Sequence, residues 1–439
     1  MTNKKVGLIS LGCAKNLINS EQMLYLINGA GYEPVTDLSR ADAVIINTCG
    51  FIESAKSEAI DTILEVAANI KEGAKIIVAG CLAQRYREEI LESLPEVGGL
   101  VGTGSFDDIL TVLESLGAGE TPLLFGDINA PLSETARAVS TGPGWAYIKI
   151  ADGCDNRCAY CVIPEIRGKF RSRPLESIVD EARALAESGV RELIVVAQDT
   201  TNYGRDLYRE RQLPELLRHL CEIPGIGWIR LHYLYPDLVT EELIDTIAGQ
   251  PKIVKYLDVP IQHIDDGILR RMNRRGTGGE IRALINKLRE RIPGLVLRTS
   301  VIVGLPGEGE SEFEELCDFL RKAKIERAGV FEYSPEEGTP AALMDRPDGD
   351  TAAHRAELVS RLQAEILDAW CTGTIGKTLT VLCEGYDEES GFWHGRSWAD
   401  SPDIDGRVLF SGEAVPGEFA EVLIKDVLDG DLIGECAGG

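Results

Sequence analysis

The chain has 439 residues, with 45 Lys and Arg against 71 Asp and Glu and a formal net charge of −26. That balance disfavours nucleic-acid binding as a default and leaves room only for a local basic channel. No long apolar region of the signal-peptide kind opens the chain, and its longest apolar runs, such as LIVVA at 193–197, are strand-sized, so we expect a cytosolic protein with no membrane span. The length predicts about three domains of roughly 150 residues. From the N-terminus, KVGLIS (5–10), AVIINT (43–48) and KIIVAG (75–80) are short β-branched runs, each followed by a helical pattern: SEQMLYLINGAG, SAKSEAIDTILEVAANI and AQRYREEILESL. This alternation predicts βαβ crossovers and a parallel sheet over residues 1–118. Residues 119–143 lose the rhythm and gather Gly, Pro, Ser and Thr, which predicts a linker. Alternation resumes over 144–373, with strands expected at 146–151, 192–197, 228–233, 255–259, 296–303 and 328–333. Six parallel strands with crossovers fit either an open partial barrel or a doubly wound sheet. From 374 to 439, KTLTVLCEG, FWHGRS, GRVLFSG and EFAEVLIKDVL read as short strands between Gly, Asp and Pro turns, the pattern of a small antiparallel barrel.

In a reducing compartment the eleven cysteines are expected to be metal ligands and core residues rather than a disulfide framework. Cys13, Cys49 and Cys81 each fall just past the C-terminal end of a predicted strand. In a parallel sheet those ends share one edge, where open α/β folds place their ligands. Local zinc motifs need closer ligand pairs, and no histidine precedes His219, so a Cys-plus-His zinc site inside this domain is excluded. Three buried core cysteines are the plainer alternative. Against it, these are the only cysteines in the first 153 residues and all three share one topological position, which favours a common iron–sulfur site.

A second set, Cys154, Cys158 and Cys161 in CDNRCAYC, follows the strand AYIKIA with Cys-x3-Cys-x2-Cys spacing. A turn of this length can wrap three thiolates around a cubane cluster, one to each of three irons, and leave the fourth iron open. Neither a histidine nor a fourth cysteine is near enough in sequence to close a zinc set. The spacing resembles the radical S-adenosylmethionine superfamily, whose open iron chelates the amino and carboxylate groups of that cofactor. Tyr160 supplies the aromatic residue that the superfamily usually carries before the last cysteine. SVIVGLPGE (300–308) is similar to its late-strand motif that packs on the adenine, which implies Ile302 and Gly304 as contact positions; by itself the stretch also reads as a buried strand ending in a Gly/Pro turn. The resemblance implies reductive cleavage of the sulfonium to a 5′-deoxyadenosyl radical that abstracts hydrogen from an unactivated carbon. The protein's share is to hold cofactor and substrate in register and keep water out.

Taken together, the chain resembles the radical S-adenosylmethionine methylthiotransferases over essentially its whole length. The resemblance implies an N-terminal α/β domain (1–118), a central partial (β/α)6 barrel (144–373) and a TRAM-like antiparallel β-barrel (374–439). It also implies an auxiliary 4Fe-4S cluster on Cys13, Cys49 and Cys81 whose open iron carries the sulfur to be inserted. That makes two 4Fe-4S clusters with S-adenosylmethionine, and an external electron donor. One branch of the family modifies adenosines in transfer RNA; another adds a methylthio group to the β-carbon of an aspartate in small-subunit ribosomal protein twelve. SLGCAKNLINSE (10–21), CVIPEIRGKFRSRP (161–174) and DIDG (403–406) are similar to the protein-modifying branch. Charge bears on the same choice independently. Residues 374–439 carry Lys377, Arg396, Arg407 and Lys425 against fourteen acidic residues, a barrel expected to repel transfer RNA and to steer a basic ribosomal protein toward it, although such acidity also serves solubility.

Other residues carry weaker readings. Arg167, Lys169, Arg171 and Arg173 either line the active-site mouth or contact the cofactor carboxylate, or form a solvated basic strand. Gln198 and Asp199 follow a predicted barrel strand and are candidates for cofactor or substrate contact. His263 reads as a satisfied structural histidine. Trp393, Trp398 and Phe410 read as barrel core before contact surface. Cys221, Cys317, Cys371, Cys383 and Cys436 share no spacing and read as core or surface thiols. No residue is assigned as a catalytic acid or base.

Overall fold

In the computed structural model, which describes residues 4–437, the N-terminal β-branched runs become strands of one parallel sheet. These are β1 (Lys5–Ser10), β2 (Glu33–Pro34), β3 (Ala43–Thr48), β4 (Lys75–Gly80), β5 (Val97–Val101) and β6 (Leu123–Leu124), in the order β2-β1-β3-β4-β5-β6. Every residue of β3 is buried, as a strand covered on both faces requires. Its alternate side chains enter two cores. Val44 and Ile46 pack with Ile63 and Val66 of the helix Glu53–Asn69, while Ala43 and Ile45 pack with Met23 and Ile27 of the helix Ala14–Gly29. Strand order reverses between β1 and β3, which opens a crevice at their C-terminal ends. Residues 119–143 contribute the edge strand β6 and then a strap tied down by polar contacts. Glu21, buried in the first helix, receives Arg137 Nη1 at 2.5 Å and the Ser140 backbone N–H at 2.6 Å.

β7 (Trp145–Lys149) belongs to a second sheet. The chain next forms an antiparallel pair, β8 (Ala151–Asp152) with β9 (Arg171–Ser172), which brackets the cysteine-rich loop. The second sheet resumes with β10 (Glu192–Val196), β11 (Trp228–Leu231), β12 (Ile253–Asp258), β13 (Val296–Val303) and β14 (Arg327–Glu332), all parallel. Its strands lie in simple chain order from β7 to β14. A doubly wound sheet needs a reversal, so this is the partial (β/α)6 barrel of the two expected architectures.

The C-terminal residues form a closed barrel, β15 (Thr378–Asp387), β16 (Phe392–Ser397), β17 (Val408–Ser411), β18 (Phe419–Leu428) and β19 (Asp431–Cys436), in the order β15-β16-β17-β19-β18, antiparallel as expected except that β17 and β19 pair in parallel. Phe410 is fully buried with Val381, Val408, Val422 and Ile424. Trp393 and Trp398 pack against buried clusters, and the Trp393 indole donates to the Gly412 carbonyl at 2.9 Å, so these aromatics are core. The chain divides into two units: one holds the residues up to Ser140 with Ala151–Arg173 and Ser334–Ala342, the other the second sheet and the barrel. Within the second unit the barrel is fixed to the sheet by buried polar contacts. Glu192 bridges Arg230 and Arg396, each at 2.7 Å, Arg327 pairs with Asp400 at 2.6 Å, and the Tyr256 hydroxyl donates to Asp405 at 2.7 Å. Among the described residues no helix is long and apolar enough to cross a membrane.

Candidate metal centre

The crevice between β1 and β3 collects the first three cysteines, because each follows a strand directly or by a short turn. Cys13 occupies the N-cap of the helix Ala14–Gly29 and Cys81 begins the short helix Cys81–Arg85. Two glycines allow the loops to close. A Cβ on Gly12 (φ +86°) would lie 2.7 Å from Cys49 Cβ, and one on Gly50 would lie 2.9 Å from Leu82 Cα. Asn16 organises the same loops. Its amide Nδ2 donates to the carbonyls of Leu11 (3.1 Å) and Thr48 (2.9 Å), the residues just before Gly12 and Cys49. Its Oδ1 accepts from Arg167 Nη2 and faces Cys81 Sγ at 3.7 Å.

Of the two readings of Arg167, the structure excludes the solvated strand. It is 3 % exposed, not part of a solvated strand. Nη1 donates to Asn19 Oδ1 at 3.0 Å and Asp152 Oδ2 at 3.1 Å, and Nη2 reaches Cys81 Sγ at 3.6 Å. Burial works against its charge, but the Cys81, Asp152 and Cys13 groups outweigh burial and hold the guanidinium above its ordinary range. Arg173 is likewise buried on Glu134 at 2.5 Å, Arg171 donates to the Ala130 carbonyl at 2.8 Å, and only Lys169 of the four is exposed.

The three thiols sense one another. Burial, then the Cys81 charge, pushes Cys49 up to about 12, and burial raises Cys81 against the pull of Arg167. Burial also opposes ionisation of Cys13, but Lys15, Arg167 and the backbone N–H groups of Asn16 and Lys15 leave it below its usual value. Such groups release protons when a metal binds. Among the described residues no three His, Cys, Asp or Glu side chains converge tightly enough to ligate a single ion. Three thiols from three loops, with a buried cation against the anionic set, fit a cluster held by three protein ligands.

Cys154, Cys158 and Cys161 lie half-buried in the same unit, in the loop between β8 and the helix Ile163–Arg167. Cys161 N–H closes a turn onto the Cys158 carbonyl at 3.0 Å, and Cys154 N–H bonds the Gly168 carbonyl at 3.2 Å. Arg157 between them is in the left-handed region, φ +51°, a strained conformation of the kind found at ligand sites. Tyr160 is half-buried in this loop. Val162 and Ile166 pack against Cys81 and Phe51, so one turn of helix joins the two cysteine sets.

Ile302, Gly304 and Gln198 belong to the second unit. Ile302 near the end of β13 donates its N–H to the Gln262 carbonyl at 2.8 Å. Gly304 (φ +74°) donates to Glu308 Oε1 at 2.9 Å, and Glu308 is in turn held by Arg355 at 2.8 Å. His263 is buried and accepts the Asp265 N–H at Nδ1 (3.1 Å), but its Nε2, 3.4 Å from Glu308 Oε2, makes no hydrogen bond, so it is not the satisfied histidine expected. Gln198 is half-buried just after β10, and Asp199 beside it is buried and accepts from the Thr201 hydroxyl.

Residues 5–102 match the model of uncharacterized protein family UPF0004, residues 148–320 that of the radical SAM superfamily, and residues 375–437 that of the TRAM domain. The chain is 48 % identical over 437 residues, 98 % of this chain and 99 % of the relative, to ribosomal protein uS12 methylthiotransferase RimO of Lachnoclostridium phytofermentans. The protein of that name from Geobacter sulfurreducens is 47 % identical, with 98 % of each chain covered. The chain belongs to the uS12 methylthiotransferase RimO family. Among solved structures, the radical S-adenosylmethionine methyltransferase TsrM of Kitasatospora setae superposes with a TM-score of 0.58 at 16 % identity, covering 78 % of this chain and 77 % of that one; the likeness concerns the fold. In this RimO-family chain, sequence reasoning passed over Asn16, Asn19, Asp152 and Glu308. The first two fall outside the helical pattern read from Ser20; the structure starts that helix at Ala14 and buries Asn16, Asn19 and Ser20, a polar i, i+3, i+4 face that needs partners.

Proposed function

We propose that this chain is a radical S-adenosylmethionine methylthiotransferase that adds a methylthio group to the β-carbon of an aspartate in ribosomal protein uS12. The observation that carries the reading is the pair of three-cysteine sets in one unit, in a chain collinear with RimO proteins over 98 % of its length. Cys154, Cys158 and Cys161 would hold the cluster that binds S-adenosylmethionine, and Cys13, Cys49 and Cys81 the auxiliary 4Fe-4S cluster. When bound, these groups supply the one-electron chemistry, the methyl group and the sulfur. The chain's own residues position them. Glu308 fixes the Gly304 N–H and so the end of the strand that carries Ile302, the proposed adenine contact; Tyr160 and Gln198 complete the proposed cofactor contacts. Residues 1–118 then carry the auxiliary cluster, 144–373 the radical chemistry and 374–439 substrate capture, with 119–143 between the first two.

The barrel's surface supports a basic protein partner over transfer RNA. Its residues from 374 to 437 expose ten acidic side chains and three basic ones, Arg396 being buried on Glu192 and Glu384. With a ribosomal substrate the proposed activity is cytoplasmic, and the proposal includes an external electron donor. The intact mass of uS12 from cells with and without the gene tests the reading. A gain of one methylthio group in place of hydrogen supports it; an unchanged mass together with loss of a methylthioadenosine from transfer RNA refutes it. Iron content tests the sites: about eight irons per reconstituted chain should fall to about four in Cys13→Ala/Cys49→Ala/Cys81→Ala, and unchanged iron contradicts the auxiliary assignment.

A further inference from the structure

Arg167 brings a permanent positive charge to the first cysteine set, and nothing in the reaction described above uses it. A guanidinium offers five N–H donors in a fixed plane and stays protonated in proteins. Here Asn19 and Asp152 take Nη1, while Nη2 is shared between Asn16 Oδ1 and Cys81 Sγ. Asp152 itself receives the Gly153 N–H at 3.0 Å, which holds the carboxylate in place. The guanidinium therefore has little freedom to turn from the sulfur. Its placement depends on the other cysteine loop, since Arg167 ends the helix Ile163–Arg167 that starts two residues after Cys161. Cluster potentials respond to net charge and to hydrogen bonds on sulfur, and residues behind the ligands hold them in orientation. A buried cation at this distance favours the more negative, reduced form of a cluster over the oxidised form.

We propose that Arg167 is a positioning residue of the auxiliary cluster, orienting the Cys81 sulfur through Nη2 and raising the cluster's reduction potential through its fixed charge. The proposal rests on the assignment of Cys13, Cys49 and Cys81 to that cluster. It is tested in the full-length chain carrying Cys154→Ala/Cys158→Ala/Cys161→Ala, reconstituted anaerobically so that iron reports the auxiliary set alone. Iron content and the midpoint potential, followed by electron paramagnetic resonance, are compared with Arg167 intact, Arg167→Lys and Arg167→Met. The methionine variant should need at least tenfold more reducing conditions, a fall of about 59 mV for a one-electron couple, and lysine should restore most of the difference. Equal potentials in all three overturn the proposal, as does a lysine variant that matches methionine. If the methionine variant holds too little iron to measure, Arg167→Lys is compared with Arg167→Gln. Loading in lysine alone supports the cation, and equal loading overturns it. A chain with Arg167 intact that holds no iron overturns the auxiliary assignment and the proposal with it, whereas about four irons with an insensitive potential leaves the assignment standing and overturns only the role of Arg167.

Discussion

Glu192→Gln should weaken the attachment of the C-terminal barrel more than any surface substitution. Glu192 opens β10 with no exposed surface, and its two oxygens accept from Arg230 of β11 and Arg396 of β16, each at 2.7 Å. One carboxylate thus sits between a cation of the sheet and a cation of the barrel. At about 4 Å between charge centres and an effective dielectric near 20, each attraction is worth about 4 kcal/mol before desolvation is subtracted. Removing one partner from such a buried set costs about 3–5 kcal/mol, since two guanidiniums are left facing one neutral amide. For a unit of this size each kcal/mol moves Tm by about 2–4 °C, so the variant should melt roughly 6–20 °C lower. Circular dichroism and tryptophan fluorescence follow the transition, because Trp228, Trp370 and Trp398 each pack against the buried cluster of Val254, Tyr256, Val296 and Ala399. Glu421→Gln on exposed β18 is the control, expected to change stability by no more than about 0.5 kcal/mol. A Glu192→Gln chain that melts within about 1 °C of its parent would refute the reasoning.

The same carboxylate predicts a pH dependence. Burial alone would raise its pKa, but Arg230 and Arg396 outweigh burial and hold it below the usual value. Its stabilisation is therefore complete above the unfolded value of about 4.3 and is lost as pH falls through the lower folded value. The gap in unfolding free energy between parent and Glu192→Gln should accordingly narrow below about pH 4, and a gap that widens there contradicts the assignment. Gly304→Ala meets a left-handed backbone, φ +74°, and places its methyl 2.6 Å from Ala352 Cβ. The backbone strain costs about 1–2 kcal/mol of folding stability, and a strand end moved to relieve the clash should weaken S-adenosylmethionine binding in equilibrium dialysis; unchanged affinity would remove Gly304 from the cofactor site. Replacing the exposed Asp387, Glu388 and Glu389 by their amides should slow association with uS12 several-fold at low salt in stopped-flow measurements. The difference should vanish at 1 M salt, where the Debye length is about 3 Å; an equal loss at both salts points to direct contact instead of steering.

What was readable in the sequence was whatever repeats locally. β1, β3 and β4 announce themselves as unbroken β-branched runs, and the six strands of the second sheet were each placed to within a few residues. β2 and β6 are two residues long, and β5 reads VGGLV, too short or too glycine-rich to carry a periodic signal. β19 was missed for a related reason. Gly434 interrupts its alternation, yet a Cβ there would come within 2.5 Å of Val422 Cγ1, so close packing against β18 demands the residue that hides the strand. Strand order was undetermined because periodicity reports which face is buried and carries no information about which strand lies alongside.

The cysteines and Arg167 show the same division at the site. A thiol after a strand end is informative alone, since the sheet brings all such ends to one edge. Arg167 lies in a run with Lys169, Arg171 and Arg173, and a run of like charges reads as a solvated face. Its burial is decided elsewhere, by Asn16 and Asn19 from the first helix and Asp152 from β8. Only the basic half of the contact is visible in the sequence, because the helical pattern is read from Ser20 and leaves Asn16 and Asn19 outside it. In the structure the helix Ala14–Gly29 buries Asn16, Asn19 and Ser20, polar groups that must be satisfied from outside it, and a basic run in an acidic chain follows the only other clustered cysteines. Matching an unsatisfied buried face to an unexplained charge is the inference that local pattern reading leaves out, and here it leads to the residue that links the two cysteine sets.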